Sequence, residues 1–227
     1  MANQAILKAL ERVQHKLGPI TRKDGMVVPL FIDTVPLMFE PDLFKLTVQE
    51  LAKEVRAMSG ITLVAGGLTP GAPLAAGVSL ELGMRYAWVR KEPKGYSQNR
   101  VVDGNVHAGD RVVLIDDFYV SGEMKELFMG YLAKAGGEVT DILSIGLLSE
   151  RLLNEWRPKF PSVKIHYLVN YLDMAERLAQ VGIISRGLQE VVKLCVADPY
   201  HWHENKETWD KFNLLLPDEP LARTIKL

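Results

Sequence analysis

The sequence predicts an α/β fold built on a doubly wound parallel sheet, and three observations carry that prediction. Five short apolar runs, ITLVA (61–65), YAWV (86–89), VVLI (112–115), ILSIGLL (142–148) and IHYLV (165–169), show almost no polar alternation. Strands that are apolar on both faces belong to a sheet covered on both sides, which is the parallel arrangement. Helical stretches separate most of the runs, and that rhythm indicates a wound sheet with right-handed crossovers. The chain has 227 residues, 48% of them hydrophobic, enough for one domain with a large core or a domain with a small appendage.

From the N-terminus, Ile6, Leu7, Leu10, Val13 and Leu17 recur at helical spacing and predict an amphipathic helix across the first segment. A second helix follows Pro41, a residue suited to a first helical turn, with Leu43, Phe44, Leu46, Val48, Leu51, Val55 and Met58 as its apolar face. The first sheet run leads through a glycine-rich turn to a helix over 73–82. The second leads into the polar connection RKEPKGYSQNRVVDGNVHAGD (90–110), whose length is typical of functional lids. The third leads through a turn to a helix over 124–135. The tail from Asp198, DPYHWHENKETWDKFNLLLPDEP, is dense in aromatics and acids without a clear period. Its Tyr200, Trp202, Trp209 and Phe212 read as packing that pins it to the core or to a second subunit.

Composition narrows the function. A formal net charge of −1 leaves no global basic field for a nucleic-acid backbone. No run approaches the roughly 18 apolar residues of a membrane span, and the opening MANQAILKALERVQHKL lacks the apolar stretch of a signal peptide. The lone Cys195 allows no internal disulfide and fits a reducing compartment, so a cytoplasmic enzyme is expected. Asp198, His201, His203 and Glu204 lack the spaced cysteines or helical histidine pair of a metal site. Gly66, Gly67 and Gly71 match neither the dinucleotide nor the P-loop spacing.

The chemistry concentrates after the third run. Asp116 and Asp117 end an apolar strand, where open α/β sheets bind their ligands. Neighbours on an extended chain point to opposite sides, so at most one faces a given ligand atom. Carboxylates there accept hydrogen bonds from ribose hydroxyls or hold magnesium through water. The following turn opens a helix whose first N–H groups, with the Ser121 hydroxyl, make an anion site. Sugar-binding acids directly before an anion cradle describe a ribose-phosphate pocket; the plainer alternative is ordinary strand and helix capping.

VVLIDDFYVSGE (112–123) resembles the phosphoribosyl diphosphate motif of type I phosphoribosyltransferases: an apolar strand, two acids, two apolar residues and a small-residue loop with glycine. Other segments follow in the order of orotate phosphoribosyltransferases. ITRKDGMVVPLFID (20–33) resembles that family's N-terminal segment, AGGLTPGAPLA (65–75) its pyrophosphate loop and VRKEPKG (89–95) the start of its mobile catalytic loop. The resemblance implies a small N-terminal hood over residues 20–40, a main domain over 1–195 and a C-terminal extension over 196–227 packed on the core or a dimer partner. It implies magnesium-dependent transfer of ribose 5-phosphate from phosphoribosyl diphosphate to a nitrogenous base, with release of pyrophosphate.

On this resemblance Asp116 and Asp117 would contact the ribose hydroxyls and the magnesium shell. Val120, Ser121, Gly122 and Glu123 would line the 5′-phosphate, and Gly66 and Gly67 would let the backbone approach the pyrophosphate. Lys91 and Lys94 would close over the leaving group as a catalytic lid, with Arg90 at its root and Lys23 near the site. A lid that reaches the neighbouring subunit implies a homodimer. These residue types suit the reaction, because a highly charged group leaves as positive charge builds at C1, and neutralisation, positioning and exclusion of water all help.

Four departures stand beside the matches. Val120 replaces a hydroxyl residue, and Glu123 is repulsive to a phosphate unless it points away or meets a cation such as Lys125. Pro70 replaces a lysine, and the apolar pair Leu147 and Leu148 stands where an arginine would hold orotate's carboxylate, with Arg151 three residues further on. The acceptor base is therefore left open. The alternative is a protein that binds the sugar diphosphate or a nucleotide as a sensor, and a third reading is an unrelated nucleotide or response-regulator domain.

Overall fold

The computed structural model describes residues 2–93 and 100–223. Helix α1 (Gln4–Leu10) precedes a two-stranded antiparallel hood, β1 (Lys16–Thr21) and β2 (Val27–Phe31). The chain continues with α2 (Pro41–Ala57), β3 (Leu63–Gly67), α3 (Gly71–Leu82), β4 (Arg85–Val89), β5 (Val102–Gly104) and β6 (Asp110–Tyr119). It continues with α4 (Glu123–Lys134), β7 (Gly137–Leu147), α5 (Glu150–Trp156), β8 (Lys164–Asn170) and α6 (Tyr171–Gln180). Helices α7 (Arg186–Ala197), α8 (Lys206–Leu215) and α9 (Pro220–Arg223) end the described chain.

Six strands form the main sheet in the order β5-β4-β3-β6-β7-β8, parallel throughout except for the antiparallel edge strand β5. The expected doubly wound sheet is present, because consecutive side chains bury on opposite faces. Val64, Val113, Ile115, Leu143 and Ile145 pack with α2, α3, α6 and α7, while Ala65, Val112, Leu114 and Ile142 pack with α4. The chain leaves β3 toward β4 on one side and returns at β6 on the other. A crevice between β3 and β6 is thus the switch point where such sheets hold ligands.

Three local expectations change. The first helix ends at Leu10 rather than reaching Leu17, because the extended hood claims the segment before Pro19, and Leu17 pairs with Leu30. Val13 and Leu17 still pack against the core, so their spacing reported burial rather than helix. Part of the polar connection forms β5, which pairs Asp103 opposite Trp88. The tail contains a regular helix, α8, whose cap Asn205 accepts from the Thr208 N–H. Trp202 and Phe212 are buried, and the Trp202 indole donates to the Val27 carbonyl at 2.7 Å, tying the tail to the hood. The Tyr171 hydroxyl, at the start of α6, donates to the hood carbonyl of Leu30.

At the opposite end of the strands from the switch point, Asp110 accepts from Arg85, from the Thr62 hydroxyl at 2.8 Å and from the His107 N–H at 2.7 Å. The Arg85 guanidinium, followed by the His107 and Thr62 donors, holds this carboxyl well below the usual carboxylate range. A depressed folded-state pKa contributes stability above the unfolded value, and that stability is lost as pH falls. Urea midpoints of the protein should therefore drop below about pH 4, and Asp110→Asn should flatten that acid limb. Equal slopes in the two proteins would show that the cluster does not set acid stability.

Candidate active site

The site lies at the switch point, roofed by the hood. β3 stops pairing with β6 at the Gly66–Ile115 pair, whereas β6 stays paired with β7 through Asp116–Ser144 to Tyr119–Leu147. The two acids are therefore not the strand's last residues, as expected from the apolar run. They sit where β3 has already turned away, and that opens one side of β6 to a ligand. A pocket of ≈ 330 Å³ occupies the crevice. Gly67, Leu68 and Pro70 line it from the β3 turn, Asp116, Asp117, Val120, Ser121 and Gly122 from β6 and its loop, and Val28 and Leu30 to Thr34 from the hood. Its size falls within the range of small-molecule sites.

The acids have different surroundings. Asp116 accepts from the Lys125 ammonium at 2.5 Å and from the Asp117 N–H at 3.0 Å. Asp117 is more deeply held. Burial, and then the neighbouring Asp116 charge, push its carboxyl up to about 7, against the pull of Lys125. The Thr34 hydroxyl reaches Asp117 at 3.4 Å. A carboxyl raised by burial and by a like charge is returned to its ionised form by an added cation. Among the described residues no three His, Cys, Asp or Glu side chains converge. Asp116 and Asp117 are adjacent carboxylates that could hold a divalent cation.

The cradle is built by Gly122, which takes a left-handed φ of 84° as the cap of α4. A Cβ there would stand 2.5 Å from the Trp156 ring, so the turn requires glycine on both counts. Val120, Ser121 and Gly122 line the pocket, whereas Glu123 is exposed and outside the lining. The repulsion expected of Glu123 is thus averted by orientation, and the cation named for it, Lys125, pairs with Asp116 instead. Gly67 faces the pocket. Gly66 is buried behind it, and both glycines are required by packing, since a Cβ would overlap the Gly71 carbonyl or the Phe128 ring.

The basic residues are more scattered. Arg90 pairs with Asp103 at 3.0 Å and lies 5.9 Å from the Trp88 ring centroid, fastening the root of the long connection to β5. Lys91 is exposed outside the pocket lining, and Lys94 lies outside the described residues. Lys23 is exposed, and its neighbour Arg22 lines the pocket, with its Nε 3.3 Å from Asp24. Leu148 lines the pocket, while Arg151 is turned away onto Asp198 and the Ala197 carbonyl. Arg22, Asp33, Thr34 and Lys125 were not singled out as site residues from sequence. Only Lys125 carried a signal, as a cation in the first turn of a helix, where the dipole disfavours it.

Comparison with known proteins matches this architecture. No family model matches the chain. An orotate phosphoribosyltransferase of Ruegeria sp. is 32% identical over 200 residues, covering 84% of this chain and 86% of that protein. The structure of Leishmania donovani UMP synthase superposes with a TM-score of 0.75 at 23% identity, over 85% of this chain and 41% of that one. A Mycobacterium tuberculosis orotate phosphoribosyltransferase, solved in complex with 5-phospho-alpha-D-ribosyl 1-diphosphate, superposes with a TM-score of 0.59 at 16% identity, over 75% of this chain and 98% of that one. With identity above 30% across most of both sequences of the first pair, and a shared fold in the others, this chain belongs to the orotate phosphoribosyltransferase family.

Proposed function

We propose that the protein transfers the ribose 5-phosphate of phosphoribosyl diphosphate to a nitrogenous base and releases pyrophosphate, with orotate the first base to assay. The observation that carries this reading is the pocket at the switch point, where two acids adjoin an anion cradle beneath the hood. In this reading Asp116 and Asp117 orient the ribose hydroxyls, and the backbone N–H groups from Val120 to Glu123 hold the 5′-phosphate. Gly66 and Gly67 shape the pyrophosphate side, and Lys91, Lys94, Arg90 and Lys23 supply charge from the 90–110 connection and the hood. Magnesium, when bound, neutralises the diphosphate, with Asp116 and Asp117 as the residues able to hold it directly or through water.

The hood closes the acceptor side with Leu30, Phe31 and Ile32, and the C-terminal extension clamps the hood through Trp202. The chain works as a cytoplasmic homodimer in this reading. Arg22 is the hood cation able to meet an acceptor's carboxylate, in place of the strand-end position that Leu148 occupies. Arg22→Ala should then raise KM for orotate about 10- to 100-fold with a smaller change in kcat. An unchanged KM would remove Arg22 from the acceptor side.

The function itself is tested by incubating the protein with phosphoribosyl diphosphate, magnesium and orotate, beside a panel of other pyrimidines, purines and nicotinate-like acids. Pyrophosphate release with at least one base is the expected result. Donor binding without release across the whole panel would overturn transfer.

A further inference from the structure

Lys125 occupies a position that lysines avoid. It is the third residue of α4, at the helix's positive end, and only 6% of its surface is exposed. Its ammonium donates to Asp116 at 2.5 Å and to the Phe118 carbonyl at 2.7 Å, with the Tyr119 ring centroid 5.6 Å away. An ammonium has three N–H donors, and these two contacts use two of them. The residue lines the pocket beside Ser121 and Gly122.

The charge around it is lopsided. Asp33, Asp116 and Asp117 line the pocket, against Arg22 and Lys125 as the cations among the described lining residues. Arg22, held by Asp24, is the cation assigned to the acceptor side. A phosphate dianion entering the cradle would face a wall of carboxylates, and Val120 offers it no hydroxyl. Directly behind Gly122, the Tyr119 hydroxyl and the Trp156 indole nitrogen are buried with no hydrogen-bond partner among the described residues. Both stand within 2.7 Å of where a Cβ on Gly122 would lie.

We propose that Lys125 is the cation that receives the phosphate of a sugar phosphate in this cradle. It offers its third N–H to a phosphate oxygen while Asp116 and the Phe118 carbonyl hold the other two. The Asp116 contact thereby links the residue that reads the ribose to the residue that reads its phosphate. This assignment rests on the sugar-phosphate reading of the pocket given above.

The test is calorimetric titration with ribose 5-phosphate and, separately, with pyrophosphate. The protein is compared with Lys125→Met, which keeps length without charge, and with Lys125→Arg. Lys125→Met should weaken ribose 5-phosphate about 10- to 100-fold and leave pyrophosphate within about twofold, and Lys125→Arg should recover most of the loss. A parallel loss for both ligands would mark a merely structural lysine and overturn the proposal. Equal ribose 5-phosphate affinity in protein and Lys125→Met would also overturn it, while leaving the pocket reading intact. Failure of the unaltered protein to bind either ribose 5-phosphate or phosphoribosyl diphosphate would instead sink the pocket reading. Should Lys125→Met not fold, nitrogen-15 NMR of lysine-labelled protein decides. The buried Nζ signal, assigned with Lys125→Arg, should move on adding ribose 5-phosphate and not on adding ribose, and a stationary signal overturns the proposal.

Discussion

Asp116→Ala is expected to lose on the order of 3 kcal/mol of stability and about 10²- to 10³-fold of kcat/KM. The stability loss follows from Lys125. Its ammonium is buried and paired with Asp116 at 2.5 Å, so truncating the acid leaves a desolvated cation with one carbonyl for company. Asp117 softens the blow, because its carboxyl is raised partly by the Asp116 charge and falls back toward the ordinary range when that charge is gone. The activity loss follows from the acid's place in the proposed ribose site. Removing both charges at once, as Asp116→Asn with Lys125→Met, should be less destabilising than the sum of the two single changes. Urea denaturation of the four proteins measures that coupling. Additive losses would show that the pair is not energetically joined.

Gly66→Ala is expected to cost about 3 kcal/mol for a single methyl group. The added carbon would overlap the Gly71 carbonyl and stand 2.8 Å from the Ala75 Cβ. Both neighbours belong to α3, whose first turn is seated on the end of β3, and backbone cannot swing aside as a side-chain tip can. The strain would be passed to the Gly67–Pro70 turn that lines the pocket, so donor affinity should fall along with the urea midpoint. Gly130→Ala provides a control of opposite sign. A Cβ at Gly130 meets nothing within 4 Å, and alanine within a helix stabilises by about 0.5–1 kcal/mol over glycine. A Gly66→Ala protein as stable as the unaltered one would mean that β3 and α3 are packed far more loosely than described.

Much of this was legible in one dimension. The five apolar runs became β3, β4, β6, β7 and β8, because a strand buried on both faces must be apolar at every position, and that leaves a mark on composition alone. Asp116 and Asp117 stood out because two carboxylates directly after VVLI conflict with burial unless a ligand site begins there. Where the reading slipped, a local signal had two causes. Val13 and Leu17 are spaced as in a helix, yet they reach the same core from a loop and from β1. β5 and α8 were hidden because a short edge strand and a polar surface helix bury too little to leave a strong period.

By itself the sequence determined the sheet, the order of its strands along the chain, the acidic pair and the glycine turns, since each depends on residue type at short range. Only the tertiary structure decided which charges meet. Lys125 pairs with Asp116 rather than Glu123, Arg22 faces the pocket instead of Lys23, and Arg151 turns outward to Asp198. Those choices depend on helix orientation, hood closure and the path of the C-terminal extension. Electrostatic energy depends on distances between residues far apart in the chain, and local sequence does not encode such distances.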